Sequence, residues 1–404
     1  METIVYFICF VCLLNSSFFS INIGPVVFDV SRISLIIFIM FYLARNKFIL
    51  HLHKFKTIQK IVIFPFVLIV ISIIQLLWTK DYTEWFKVVF TLIIALLYFI
   101  LVPIVIDDNQ KVLKCLKCFY CASLVQLALG YLEMFTGKYL FVGDVNYIKN
   151  YQKEYNSLGL HSPAAMNLNS NNYSTMILIG CCIGLILFLN SKKRYMKIFY
   201  MIMFLLSGFS IYCTDSRANM IAFLLLIGLY VFFFLKNKAA KLLVIGLLVM
   251  MILLVIPYFD GFFISPDSDS TRMQLYMDGF VFLKKTYLLG IGPGQEEWWF
   301  LHKRVYSWGG VRVMHNYLLE ILVCFGLPGF IWFMYSYIKA FRVALRTFIY
   351  RSDLAAKIGC GISLFLITFI VSSLSASTLI RSEYIWLLYS IIFSYVNNTV
   401  KGEE

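Results

Sequence analysis

Three short clusters in this sequence combine residue types that handle anions and hydroxyl groups: Asn171-Asn172-Tyr173, Asp215-Ser216-Arg217 and His315-Asn316-Tyr317. A guanidinium is a planar fork of donors that can hold a phosphate through two hydrogen bonds at once. Histidine is the side chain whose ordinary pKa lets it take up a proton near neutrality. An arginine at the start of a helix suits the binding of a phosphate or diphosphate. Arg272, His302 and Arg312 lie between the second and third clusters, and His161 precedes the first. Each of these has a plainer use. Arg217 serves equally as an interfacial cation with its head in water, and His315 as a helix cap or a hydrogen-bonded structural residue.

Other patterns weigh toward structure. Asp267-Ser268-Asp269 has the spacing of a metal-nucleotide site, but it stands in a Ser/Asp/Pro stretch before an expected helix, where Asp269 or Ser270 would be the N-cap. Cys115, Cys118 and Cys121 are spaced by three with no fourth ligand in view, which reads as a polarisable helix face. The sequence therefore predicts no metal and no cofactor. Trp298, Trp299, Tyr306 and Trp308 offer faces for sugar rings and equally suit an interfacial aromatic belt.

The elements that must position these residues follow from composition. The chain has 404 residues, 61% of them hydrophobic and 14% charged, with a mean hydropathy of +0.82. A soluble domain carries nearer a quarter charged residues. Apolar runs long enough to cross hydrocarbon recur throughout, at 3–20, 26–43, 61–78, 87–106, 112–131, 173–190, 196–213, 218–235, 241–258, 316–337, 355–374 and 382–397. The expected fold is all-α: a polytopic membrane helix bundle of about twelve spans, a single transmembrane domain over 1–404. Glu2 stands where a signal peptide would carry a cation, and no small-residue cleavage site follows, so the first span is expected to stay.

The net charge of +14 would fit a nucleic-acid partner, so the placement of the cations decides. Arg45 to Lys60, Lys111 to Lys117, Lys192 to Lys197, Lys236 to Lys241 and Lys339 to Lys357 all fall in even-numbered connections. By the positive-inside rule these connections and both termini are cytoplasmic. The charge is topological, and no nucleic acid is expected. Two long connections, 132–172 and 259–315, are then external, and loops of this length are usually functional. Residues 271–285 have the apolar content of an amphipathic helix lying on the membrane surface. Every even-numbered span enters from outside, so its positive dipole end faces the external surface. Converging starts at residues 172, 217 and 316 would make an anion site.

Thr214-Asp215-Ser216-Arg217-Ala218, then Leu289-Gly290-Ile291-Gly292-Pro293-Gly294, then His315-Asn316-Tyr317-Leu318 through Gly326-Leu327-Pro328-Gly329 resemble, in order, the motifs of the O-antigen ligase and polymerase family. The residues before the Gly-rich turn, Lys284 to Tyr287, depart from the family pattern, and the Asn-rich stretch lacks its usual proline. The resemblance implies a glycosyltransferase on the external leaflet of a bacterial inner membrane. Its donor and acceptor would be polyprenyl-diphosphate-linked oligosaccharides, and a chain-length regulator and a flippase would be its partners besides membrane lipids. On that reading Arg217 and Arg272 hold the diphosphate and His315 is the general base, with His302 as rival. Arg312, Asn316, Asn172 and Tyr173 are the candidate substrate contacts. Repeat-unit polymerase is the leading expectation and ligase the alternative. A transporter for the same lipid is the reading of another class; spans nearly free of charge weigh against it.

Overall fold

The structure, a computed structural model, describes residues 1–14, 19–45, 63–141, 155–167, 169–243, 245–246, 250, 266–307, 312–376 and 378–401. Inside hydrocarbon a backbone must satisfy its own polar groups, which leaves the helix as the available form for such apolar runs. Among the described residues seven helices are long and apolar enough to cross a membrane. They are α4 (Tyr82–Val105), α5 (Asn109–Thr136), α6 (Ser170–Asn190), α7 (Arg194–Tyr212), α8 (Arg217–Phe234), α11 (Tyr317–Tyr350) and α12 (Leu354–Ser372). The remaining helices are α1 (Glu2–Val11), α2 (Val30–Arg45), α3 (Phe64–Gln75), α9 (Pro266–Lys285), α10 (Glu296–His302) and α13 (Glu383–Lys401). The chain is a polytopic helical membrane protein. One apolar core joins α1 to α8 and α11 to α13, with Trp386 of α13 and Phe99 of α4 among its largest fully buried side chains. A second, smaller cluster joins α9, α10 and the first turns of α11 through Leu275, Phe282, Trp299, Phe300, Met314 and Val323.

Several expectations shift. The run expected as a first span over 3–20 is helical only to Val11. Ser20–Ile23 and Val26–Asp29 then form an antiparallel hairpin, β1 and β2, pairing Ser20 with Asp29. Gly24, at φ +58, and Pro25 supply the turn, and proline cannot continue a helix there. Most of the expected span 241–258 lies outside the described residues, as do residues 142–154 of the first long connection and 308–311 of the second. Helix α9 starts at Pro266, so Asp269 stands inside its first turn and is no N-cap; proline is favoured at a first helical position.

Helix α9 also does not lie apart on a surface. Its Tyr276 meets the carbonyl of His315, Gly279 faces Met314 and Val323, and the backbone just past it reaches Leu327. The segment therefore runs alongside the first half of α11, from the level of residue 315 to that of residue 327. The side chains of Asp81, Asp108, Asn169, Asn316 and Asp353 cap the starts of α4, α5, α6, α11 and α12.

Candidate functional site

The starts of α6 and α8 meet at the end of α12. The Nδ2 of the buried Asn219, two residues into α8, lies 2.7 Å from Ser174 Oγ of α6, 2.9 Å from Ser216 Oγ and 3.0 Å from Ser375 Oγ. Thr175 Oγ1 donates to Asn219 Oδ1 at 3.2 Å. The start of α11 reaches the same turn, because Tyr317 N donates to the carbonyl of Ser373 at 3.1 Å. Three helix N-termini thus gather around residues 372–375, as converging dipole ends require for an anion site. Arg217 opens α8 at the edge of this network, half-buried.

His315 stands just before α11, with Arg272 of α9 close enough to repel a second positive charge. Burial first, and then the Arg272 guanidinium, lower the His315 pKa from 6.5 to about 4. The ring is therefore held neutral. Its Nδ1 is buried and has no partner among the described residues, an arrangement that costs stability unless a ligand completes it. Tyr276 Oη donates to the His315 carbonyl at 3.1 Å, fixing the backbone on which the ring sits. Helix α9 is itself tied down by Asp278. This buried carboxylate accepts the backbone N–H groups of Val305, Tyr306 and Ser307 and the Ser307 hydroxyl, at 2.6 to 3.0 Å. Burial opposes the charged form of Asp278, and these four donors outweigh it and bring its pKa below the usual carboxylate value.

The two glycine motifs make one device. Helix α11 is broken at Gly326, whose φ of 68 and ψ of −175 are not helical. Into the break docks the turn 288–292: Leu327 N donates to the Leu288 carbonyl at 2.8 Å, Ile291 N to Val323 O at 2.9 Å and Gly292 N to Cys324 O at 3.0 Å. From α3, Gln75 Nε2 bridges the carbonyls of Leu289 and Cys324 at 2.7 and 2.8 Å. The freed carbonyls of a broken helix are thereby satisfied, as buried backbone groups demand.

Of the residues singled out by sequence, Arg272 and His315 come together, and Arg217 stands at the neighbouring network. Tyr173 is a correction: it is fully buried, its Oη 2.7 Å from Ser210 Oγ, and it packs where Gly130 leaves room on α5. Asn316 is the N-cap of α11, accepting from Leu318 and Leu319, so the capping role belongs to it and not to His315. Asn172 lies in the first turn of α6, where its N–H donates to Asn169 Oδ1. Arg312 pairs at the surface with Glu297 at 2.8 Å. His302 is exposed, stacked on Trp298 and bonded to the Trp298 carbonyl, away from the described contacts of His315. His161 is half-buried against Tyr155 and Gly137. Trp299 belongs to the core of the α9–α11 unit, and Trp308 lies outside the described residues.

Sequence reasoning missed an acidic cluster around Arg381. This arginine, in the short 3-10 helix Leu379–Arg381, donates to Glu84 Oε2 of α4 at 2.6 Å and acts electrostatically on the buried carboxylates Glu296 and Glu320. Backbone N–H groups of Leu379 and Ile380 hold the Glu320 carboxylate. Near the hairpin, Arg32 pairs with the buried Glu383, and Ser31 donates to the same carboxylate. The spans are thus less free of charge than their sequences suggested. The available signal was the rarity of the charges themselves, since an ionisable residue within an apolar run has a partner or a task.

Residues 201–334 match the family model described as O-antigen ligase. That stretch contains Arg217, Arg272, both glycine motifs and His315. Along 98% of this chain and 84% of its own length, the teichuronic acid biosynthesis protein TuaE of Bacillus subtilis (strain 168) is 23% identical. With these motifs in order on one gathered set of helix starts, residues 201–334 are similar to the O-antigen ligase family, and the chain as a whole is similar to the teichuronic acid biosynthesis protein.

Proposed function

We propose that this protein is a repeat-unit polymerase, a glycosyltransferase that joins polyprenyl-diphosphate-linked oligosaccharides on the external leaflet of the bacterial cytoplasmic membrane. The observation that carries the reading is the pairing of Arg272 with a neutral His315 whose buried Nδ1 lacks a partner. An acceptor hydroxyl attacks the anomeric carbon of the donor sugar while His315 takes its proton. The bond from that carbon to the diphosphate oxygen breaks, and the charge that collects on the leaving diphosphate falls to Arg272 and Arg217. Attack opposite the leaving group inverts the anomeric centre. In this reading guanidinium groups and helix N-termini make the phosphate contacts, and no step is assigned to a metal.

Both termini lie on the cytoplasmic side in this reading, and a flippase supplies the lipid-linked units while a chain-length regulator limits the product. The printed name of the Bacillus subtilis relative, a biosynthesis protein for teichuronic acid, supports a role in polysaccharide assembly. Ligation is the second reading, favoured by the description of the matching family model. The glycan of a strain lacking the gene separates the two. Polymerase predicts acceptors capped with one repeat unit, ligase predicts lipid-linked glycan that accumulates with none transferred, and an unchanged glycan would overturn both.

A further inference from the structure

A groove of 580 Å³ runs between α9 and α11, lined by Phe280, Leu283, Lys284, Tyr287, Leu288, Leu322 and Leu327. Its size is that of a ligand site. Its floor is unusual: Tyr287 and Leu288 stand in the left-handed region at φ 50 and 64, where bulky residues are rare. Strain of this kind persists where the surroundings over-determine it, and it concentrates at sites that bind or switch. Here the holding contacts are Leu288 N to the Leu283 carbonyl and Leu327 N to the Leu288 carbonyl, both 2.8 Å. The result exposes 88% of Tyr287 and 50% of Leu288.

The two ends of the groove differ in chemistry. At one end, steps of three or four residues along α9 lead from Leu283 through Phe280 and Tyr276 to Arg272, on one side of the helix. That path covers about 17 Å at the helical rise and finishes beside His315. At the other end, Leu327 begins a stripe with Ile331, Tyr335 and Ile338, all exposed on α11 at helical spacing. This stripe is the lipid-facing flank of a membrane helix. One molecule matches both ends, an amphiphile with an anionic head and one long hydrocarbon chain behind it. Resting on the donor chemistry proposed above, we infer that this groove holds the polyprenyl chain of the donor, leading it from the lipid to the diphosphate at Arg272. The carrier chain is therefore recognised along its length as well as at its headgroup.

Purified protein in lipid nanodiscs can be titrated with undecaprenyl diphosphate and with farnesyl diphosphate, which share a head and differ in chain length. The wild-type protein should bind the long chain at least about tenfold tighter, since burial of a few methylene groups suffices for that factor. Leu322→Trp and Leu327→Trp each fill the groove and should bring the long chain down to the farnesyl affinity. Farnesyl diphosphate should bind both variants as it binds the wild type, which also shows that they are folded. Ile331→Trp, one turn beyond the groove on the same stripe, should keep the preference. Equal binding of both chain lengths by the wild type, or a preference that survives both filling substitutions, overturns the groove and leaves the headgroup site standing. Equal competition by phosphatidylglycerol overturns it too, by making the groove an ordinary phospholipid site. Binding of neither diphosphate removes the function proposed above along with it.

Discussion

Gly290 and Gly326 lie backbone against backbone: a Cβ on Gly290 would sit 2.4 Å from Gly326 N, and a Cβ on Gly326 2.4 Å from Leu288 O. Both residues also have positive φ, at 85 and 68. Two requirements, the left-handed conformation and the close approach, fall on the same pair, so alanine violates both at either position. Gly290→Ala and Gly326→Ala should each destabilise the protein by about 3 kcal/mol or more. Because they disrupt one contact, the double variant should cost far less than the sum of the singles. Thermal unfolding of the purified variants checks this, and additive losses would mean that the turn and the helix break are independent.

That pair also shows what could be read from the sequence. The Gly-rich turn and the Gly-Leu-Pro-Gly stretch were visible as separate motifs 32 or more residues apart, but their union is a long-range contact that local pattern cannot encode. Helix existence was legible because apolar runs of membrane length have few alternatives in hydrocarbon. The hairpin at 20–29 was not, because its strands expose every residue of Ser20–Ile23 and carry no alternating burial signal. His315 stood out as a histidine before a span. Its partner Arg272 was one cation among several in a long connection, and only the folding of α9 along α11 sets it apart from Arg312.

Arg312 and Tyr173 separate contacts with substrate from ordinary structure. The Arg312–Glu297 pair leaves 42% and 60% of the two side chains exposed, and pairs of this kind are worth about 1 kcal/mol or less. Arg312→Ala should therefore keep turnover within a few-fold of wild type, whereas Arg272→Lys should lose most of it, because a point charge does not reproduce the guanidinium fork. Tyr173→Phe removes only the bond to Ser210 and should cost about 1 kcal/mol of stability with turnover kept. Steady-state rates on the three variants test the ranking; equal losses at residues 312 and 272 would place Arg312 in the donor site.

Arg381 compensates three carboxylates brought by α4, α10 and α11, and Glu296 keeps one buried oxygen without a partner among the described residues. Burial pushes the Glu296 carboxyl above its usual pKa in spite of the arginine. Arg381→Ala leaves these charges uncompensated and should destabilise by roughly 2 kcal/mol, less than a fully buried pair because the arginine side chain is 37% exposed. Glu296→Gln in the same background should recover part of the loss. If Glu296→Gln instead deepens the loss, the carboxylate is needed for a contact other than Arg381.

In the proposed reaction, the repulsion between Arg272 and His315 makes the base sensitive to the donor. In the free protein burial and Arg272 hold the imidazole pKa at about 4 instead of 6.5. The unfolded chain binds the proton more readily over that interval, so this residue's contribution to stability is present above pH 6.5 and falls as the pH drops toward 4. A diphosphate on Arg272 neutralises the repelling charge and favours the imidazolium, so the pKa must rise when the donor binds. A base is most effective when its pKa lies near the working pH, and donor binding therefore tunes His315 toward its task. The acid limb of kcat/KM, which reports the free protein, should lie at lower pH than the acid limb of kcat, which reports the complex. In Arg272→Ala the first limb should move up and the gap should narrow. His315→Ala should remove both limbs and lower the rate by roughly two to four orders of magnitude with donor affinity nearly kept. Coincident limbs in the wild-type protein, or limbs that survive His315→Ala, would assign the proton transfer to another group, and His302 is then the histidine to replace.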